Sequence, residues 1–158
     1  MTKNTKDILQ LDQVQPGILR LILNDPKSKN ALSEEMMKQL KKHIFNASSN
    51  ASVKVIIIAA VGDIFCSGHN LKDITEARNN EDDGKEYFLN LFNLCSSLMQ
   101  IITSCSKPVI AEIDGVATAA GCQLVASCDL AIASESSKFA TPGVNIGLFC
   151  STPMVALS

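Results

Sequence analysis

Apolar residues recur along this chain with two different periods, and the switches between them predict its elements. Residues 18–24 (ILRLILN) mix alternation with a short apolar run and read as a strand. Asp25-Pro26 ends it, because proline has no amide to give to a ladder. Leu32, Met36, Leu40 and Ile44 then recur every fourth residue with Met37 beside them, the spacing of one buried helical face. Ser33 is placed to cap that helix, and Glu34 and Glu35 fall in its first turn, where negative charge suits the helix dipole. Lys38, Lys41 and Lys42 mark the polar face, and His43 reads as a solvated or dipole-neutralising residue near the helix end. Residues 53–60 (VKVIIIAA) are nearly continuous β-branched hydrophobe, which predicts a central strand covered on both faces. After the loop at 62–72, the polar stretch 75–85 predicts an exposed, mobile segment with a solvated charge run. Residues 87–103 return to helical spacing through Phe88, Leu91, Cys95, Leu98 and Ile102.

The densest pattern lies in residues 107–133, KPVIAEIDGVATAAGCQLVASCDLAIA. An apolar run at 109–113 meets a turn at Asp114-Gly115, small residues fill 117–121, and helical spacing follows over 122–127. A second apolar run, 130–133, closes a buried strand, tight turn, helix, buried strand order of βαβ type. The first helical turn has no internal partners for its N–H groups, so they are available to an anion or a developing oxyanion. Residues 138–140 predict a short edge strand and Thr141-Pro142-Gly143 a turn. Ser151 or Thr152 followed by Pro153 predicts a helix start, which the chain follows for only about one and a half turns, the expectation for a truncated chain. No internal repeat is visible.

Composition narrows the function classes. With 46% hydrophobic and 19% charged residues, the 158-residue chain reads as one ordered, soluble domain able to bury a core. Fourteen basic against sixteen acidic residues argue against a nucleic-acid or membrane-surface partner, and no apolar run is long enough to span a bilayer. The absence of Trp, with one Tyr, argues against a base-stacking platform. The six cysteines form no C-x-x-C pair and read as reduced, buried thiols of an intracellular protein. With His43 and His69 the only histidines, a clustered metal site is not expected. The first twelve residues show neither a signal-peptide core nor an Arg-rich transit character.

Two segments, FCSGHN and TAAGCQ, place a glycine among small residues directly after a predicted strand. On local chemistry alone, both are tight strand-to-helix turns whose glycines serve packing. There is no P-loop, no GxGxxG and no G-x-S-x-G. Together, however, they resemble the crotonase, or enoyl-CoA hydratase/isomerase, superfamily. Its A-F-[CAS]-[AS]-G-x-[DN]-[LI]-K loop is similar to Ile64-Phe65-Cys66-Ser67-Gly68-His69-Asn70-Leu71-Lys72. Its [ND]-G-x-A-x-G-G-G-x-[EQ] segment is similar to Asp114-Gly115-Val116-Ala117-Thr118-Ala119-Ala120-Gly121-Cys122-Gln123. Asn24-Asp25-Pro26-Lys27 through Asn30-Ala31-Leu32 and Cys128-Asp129-Leu130 to Phe139 resemble two further signatures.

The resemblance implies an α/β fold, the ClpP/crotonase spiral of parallel strands with flanking helices. It sets residues 1–17 as an N-terminal extension and 18–158 as a core that lacks the C-terminal helical region. It implies an acyl-CoA ligand, no further cofactor, and a homo-trimer for the intact parent. It implies a mitochondrial location within fatty-acid metabolism, with the cytoplasm as alternative because no transit peptide is visible. The oxyanion-hole amides fall on His69 and Ala120. Further substrate contacts fall on Lys27, Ala31, Ser67, Gly68, Asn70, Leu71 and Gly121, with Lys27 and Lys72 as phosphate contacts. The two hydratase glutamates fall on Gln123 and Gly143, and an aspartate of some relatives falls on Ser151; none of these exchanges a proton at neutral pH. His69 is a candidate substitute base against the reading that only its N–H matters, and Cys66 a candidate thiol against simple packing.

Overall fold

The structure is a computed structural model that describes residues 7–158. Five strands form the larger sheet in the order β1 (Leu9–Gln15), β2 (Ile18–Leu23), β3 (Val55–Ala60), β5 (Val109–Ile113) and β7 (Leu130–Ala133). Only β1 and β2 run antiparallel; every other neighbouring pair is parallel. β3 sits in the middle, as its β-branched run predicts, with Ile56, Ile58 and Ala59 buried. Residues 9–15, within the expected N-terminal extension, form strand β1 at the edge of the main sheet, paired with β2 from Leu9–Leu23 to Gln15–Ile18. Its side chains are exposed except Leu9, so it carries little of the apolar signal that marks a strand. The rest of that segment's first six residues lie outside the described residues.

A second sheet stands at the ends of the first, made of β4 (Ile64–Cys66), β6 (Val116–Thr118) and β8 (Lys138–Ala140), all parallel. Three times the chain leaves the large sheet, turns, and enters the small one: β3 to β4, β5 to β6, β7 to β8. This is a spiral whose repeat lies in the backbone path and not in the sequence. The turns stack on one another. Val116 N donates to Asp63 O (3.2 Å) and Lys138 N to Gly115 O (3.1 Å). Gly115, at φ +100°, packs so closely on the Asp63 backbone that a Cβ there would collide with it.

Helices flank the sheets. In α1 (Glu34–Ser49) the Ser33 hydroxyl accepts from Met36 N, and Met36, Met37, Leu40 and Ile44 are fully buried. α2 (Leu71–Ala77) and α3 (Lys85–Thr103) take in the two ends of the polar stretch at 75–85, which is exposed as expected apart from Ala77 and Gly84. Asp82 organises the turn between them, its carboxylate accepting from Gly84 N (3.0 Å) and Glu86 N (2.8 Å). α3 buries Leu91, Cys95, Leu98, Met99 and Ile102 against α1 and the sheet. α4 (Ala120–Ala126) follows β6, and α5 (Ser151–Leu157) packs on α4. The expectation that residues 130–133 are buried is also corrected: β7 is an edge strand, exposed along its length, with Leu130 60% and Ile132 65% accessible. Among the described residues, no helix is long and apolar enough to cross a membrane.

Candidate functional site

The site is built where the β4–α2 turn meets the β6–α4 turn. Gly68 takes φ +89°, and a Cβ placed on it would lie 3.2 Å from Ala120 N, 3.2 Å from Thr118 O and 3.1 Å from Ala119 Cβ. Only a glycine lets the first turn come this close to the second. Gly121 returns the contact, since a Cβ there would lie 2.9 Å from the Cys66 carbonyl carbon and nearer still to its oxygen. Thr118 Oγ1 donates to Ser67 O (3.1 Å), and Ala119 N to Ala140 O (2.9 Å). Three segments distant in sequence are thereby clamped at one point.

Two amides are left free at this junction. Leu32 N donates to Gly68 O (2.8 Å) in a parallel bridge between Leu32 and His69, which turns the His69 N–H to the opposite side. Ala120 is the first residue of α4, where helix geometry supplies no acceptor. Neither amide has a hydrogen-bond acceptor among the described residues. Ala119, the residue before it, stands at φ +50°, ψ −122°, a conformation that a Cβ disfavours, where the crotonase pattern has glycine.

Two clefts open beside the junction. The first, about 390 Å³, is lined by Lys27, Ser28, Lys29, Ala31, Ser67, His69, Asn70, Leu71 and Lys72. It gathers almost every binding residue read from the two N-terminal signatures, with Gly68, Ala120 and Gly121 buried behind it. Asn70 caps α2 by accepting from Lys72 N (3.1 Å). The lining loop is pinned by Asn30, fully buried, whose side chain accepts from Asp25 N and donates to Val61 O and Ile64 O at 2.7–2.9 Å. Lys29 and Asn30 both take left-handed φ values, 57° and 50°. Asparagine's tolerance of that region was the available signal for a role that reading the chain as a binding motif alone passes over.

The second cleft, about 380 Å³, holds Gln123 with Phe92, Cys95, Met99, Thr152, Val155 and Ala156 among its walls. Here the sequence reading missed two contributors, α3 through Phe92 and the last helix through Thr152, Val155 and Ala156. Gln123 is 9% exposed, and Cys95 Sγ lies 3.9 Å from its Oε1. Gly143 sits in a 3₁₀ turn (Pro142–Ile146), packed on Cys150 Sγ, and lines neither cleft; nor does Ser151, at the start of α5.

The ring of His69 points inward. It meets Phe92 edge-on, with centroids 5.6 Å apart and planes at 82°, and both of its nitrogens are buried without a hydrogen-bond partner. Burial pushes its pKa below the ordinary value, with the Leu32 backbone acting in the opposite sense, so the ring is neutral. Cys66 is wholly buried beneath the junction, and burial pushes its thiol up to about 12, which removes it as a nucleophile at neutral pH. His43 is also held low, by burial and by Lys42, which matches the charged, dipole-neutralising alternative expected of it less well than the solvated one. No group of three or more His, Cys, Asp or Glu side chains among the described residues is arranged to hold a metal ion.

A family profile described as "Enoyl-CoA hydratase/isomerase" matches residues 13–156. The chain belongs to the enoyl-CoA hydratase/isomerase family. Within it, the chain is 54% identical over 145 residues to a Xenopus laevis protein named "Enoyl-CoA hydratase domain-containing protein 3, mitochondrial", covering 92% of this chain and 48% of that one. The crystal structure of human enoyl Coenzyme A hydratase domain-containing protein 3 superimposes with a TM-score of 0.85 at 49% identity, over 95% of this chain and 57% of the other. An enoyl-CoA hydratase from Mycobacterium smegmatis superimposes with a TM-score of 0.87 at 45% identity, over 96% and 57%. The chain spans about half the length of the curated relatives it matches. The family's fold, two strand-to-helix turns brought together by a spiral, is the one described above.

Proposed function

We propose that the chain binds an acyl-CoA thioester, with the His69 and Ala120 N–H groups donating to the thioester oxygen. The observation that supports this is the approach of the two turns, with a Cβ on Gly68 lying 3.2 Å from Ala120 N, and the lack of an acceptor for either amide among the described residues. Donors already fixed in place need no reorganisation as charge develops on oxygen, and one such donor is worth about 3 kcal/mol in enzymes that use it. Lys27, Lys29 and Lys72 line the adjoining cleft, a cationic rim suited to the phosphates of CoA. Gln123 and Gly143 stand where the family's hydratases carry glutamates, and neither transfers a proton. The reading is therefore an acyl-CoA-binding protein of fatty-acid metabolism that has lost enoyl-CoA hydration, with a divergent lyase or isomerase as the enzymatic alternative. Isothermal titration with saturated and unsaturated acyl-CoAs, beside a crotonyl-CoA hydration assay, tests it. Binding without hydration is the expected result; hydration overturns the loss of catalysis, and absence of binding overturns the reading itself.

A second reading concerns assembly. Leu130, Ile132, Phe139, Ile146, Phe149 and Val155 are 50–82% exposed, more apolar side chain than a free surface favours. In this reading the chain associates with longer subunits of its family, whose intact form would be a homo-trimer, and a monomeric, cooperative melt of the isolated chain overturns it. The mitochondrial names of its relatives support the same compartment here, which cell fractionation would test.

A further inference from the structure

The cleft beside the junction is lined by Lys27, Lys29 and Lys72 and by two serines, and by no aspartate or glutamate. An electrophile bound there has few nucleophiles to meet. A serine hydroxyl needs a neighbouring base to take its proton, and the cleft supplies no carboxylate for that. The His69 ring is turned away, edge-on to Phe92. Water has the same need, and the side chains at Gln123 and Gly143 cannot meet it. Cys66 lies buried as a protonated thiol. A lysine amine differs from all of these, because once it has lost its own proton it attacks carbon without further help.

Among the three lysines, Lys29 is tied to the site through its own backbone. Its carbonyl accepts from Ser67 N (3.2 Å), one residue before Gly68, and Leu32 N donates to Gly68 O (2.8 Å). Residues 29–32 therefore run alongside 67–69, with Lys29 at a left-handed φ of 57° on that path. Lys27 stands earlier, in a 3₁₀ turn (Pro26–Ser28), and Lys72 in the first turn of α2. The ion pairs among the described residues, Arg20–Glu112 and Lys38–Glu34, leave the Lys29 ammonium without an acidic partner. Lys29 is exposed, and its amine rides on a flexible four-carbon stem.

We infer that Lys29 acylates itself from an acyl-CoA held at the two free amides. The ammonium first gives a proton to solvent. The Nζ lone pair then attacks the thioester carbonyl carbon, and the His69 and Ala120 N–H groups hold the oxyanion that forms. As the oxyanion collapses the C–S bond breaks, and CoA leaves as thiolate and takes up the proton shed by the attacking nitrogen. The products are an Nε-acyl-lysine amide and free CoA, so each chain reacts once. This inference rests on the acyl-CoA reading and adds to it a reaction that needs neither missing glutamate. Acylation also removes a positive charge from the cleft, so an acylated chain should bind a further acyl-CoA more weakly.

The test incubates the chain with butyryl-CoA, a saturated thioester with no conjugated double bond, and follows each lysine by peptide mass mapping. Lys54, Lys85 and Lys138, exposed and outside the cleft, report the background within the same sample. Lys29 should be acylated at least about tenfold faster than these, a small part of what holding two reactants together can supply. Free CoA should appear in proportion, and the rate should rise with pH because only the free amine attacks. Lys29→Arg keeps the charge but not the amine; it should still bind butyryl-CoA by titration calorimetry, while its remaining lysines react at the background rate. Unfolding the chain in urea should bring Lys29 to that background as well. Equal acylation of all lysines, or a preference for Lys27 or Lys72, overturns the inference, and the acyl-CoA reading stands if butyryl-CoA still binds. Absence of binding overturns both.

Discussion

The two turns that meet at the site reach similar geometry by different means. In the first, Gly68 takes a positive φ at little conformational cost, and the Asn70 side chain caps the helix that follows. In the second, the positive φ falls on Ala119, and α4 begins without a side-chain cap. What holds the second turn is tertiary: Ala119 N to Ala140 O, Thr118 Oγ1 to Ser67 O, and the Cys122 thiol to Ala117 O (3.0 Å) and Ala140 O (3.3 Å). The first turn takes its glycine and its cap from its own residues, with Leu32 N and Lys29 O tying it from outside, whereas the second is held by the first turn and by β8. A conformation that costs about 1–3 kcal/mol locally persists only when its surroundings over-determine it.

Substitutions at the junction can break this contrast, and the largest effect belongs to Gly121. Gly121→Ala drives a methyl into the Cys66 backbone and should cost about 3 kcal/mol or more, read as a fall in denaturation midpoint. Gly68→Ala combines a positive φ with contacts at 3.1–3.2 Å and should cost about 2 kcal/mol. It should also weaken acyl-CoA binding, because the first turn must retreat from Ala120. Ala119→Gly works in the opposite direction. Relief of about 1–3 kcal/mol of backbone strain, less about 0.5–1 kcal/mol of added chain entropy, should stabilise the fold by about 1 kcal/mol. If Ala119→Gly destabilises instead, the second turn is not the strained member of the pair.

The thiol beneath the junction gives a comparable effect by titration. Cys66 titrates at about 12 when folded and near 9.0 when exposed, so the folded state holds its proton more tightly. Stability should therefore be intact below pH 9 and fall as pH rises from 9 toward 12, by about 1 kcal/mol for the first pH unit from this thiol. Cys66→Ala should flatten that part of the alkaline melting profile. The smallest effect is the local one: Asn70→Ala removes the α2 cap and should cost about 1 kcal/mol or less. Buried His69 adds an acid limb of opposite sign. Its pKa is depressed on folding, so stability should fall as pH drops below 6.5, and His69→Phe should remove that loss.

Much of the scaffold was legible because its signals are local. The Ser33 cap and the face of Met36, Met37, Leu40 and Ile44 appear in the structure as the spacing predicts. So do the central strand, the short strand at 138–140 and a helix beginning at Ser151. Strand β1 was not legible, because its outward side chains are polar and its identity rests on pairing with β2. Two of the three strands of the second sheet, β4 and β6, were equally hidden, since strands of three residues are too short to show a period. Among the candidate ligands of an acyl thioester, Lys27, Ala31, Ser67, Asn70, Leu71 and Lys72 do share one cleft, while Gly143 and Ser151 stand apart from both clefts.

The sequence by itself determined the residue chemistry: where the long helices α1 and α3 form, where glycine permits close approach, and that no carboxylate stands at Gln123 or Gly143. Those are properties of side chains and of neighbours within a turn or two, which a linear pattern carries. Only the tertiary structure decided that Gly68 lies against Ala120, that Phe92 closes over His69, and that an imidazole is buried with both nitrogens unmade. Such facts depend on segments roughly twenty to fifty residues apart meeting in close contact, as dense packing requires. Nothing in either segment alone specifies the other.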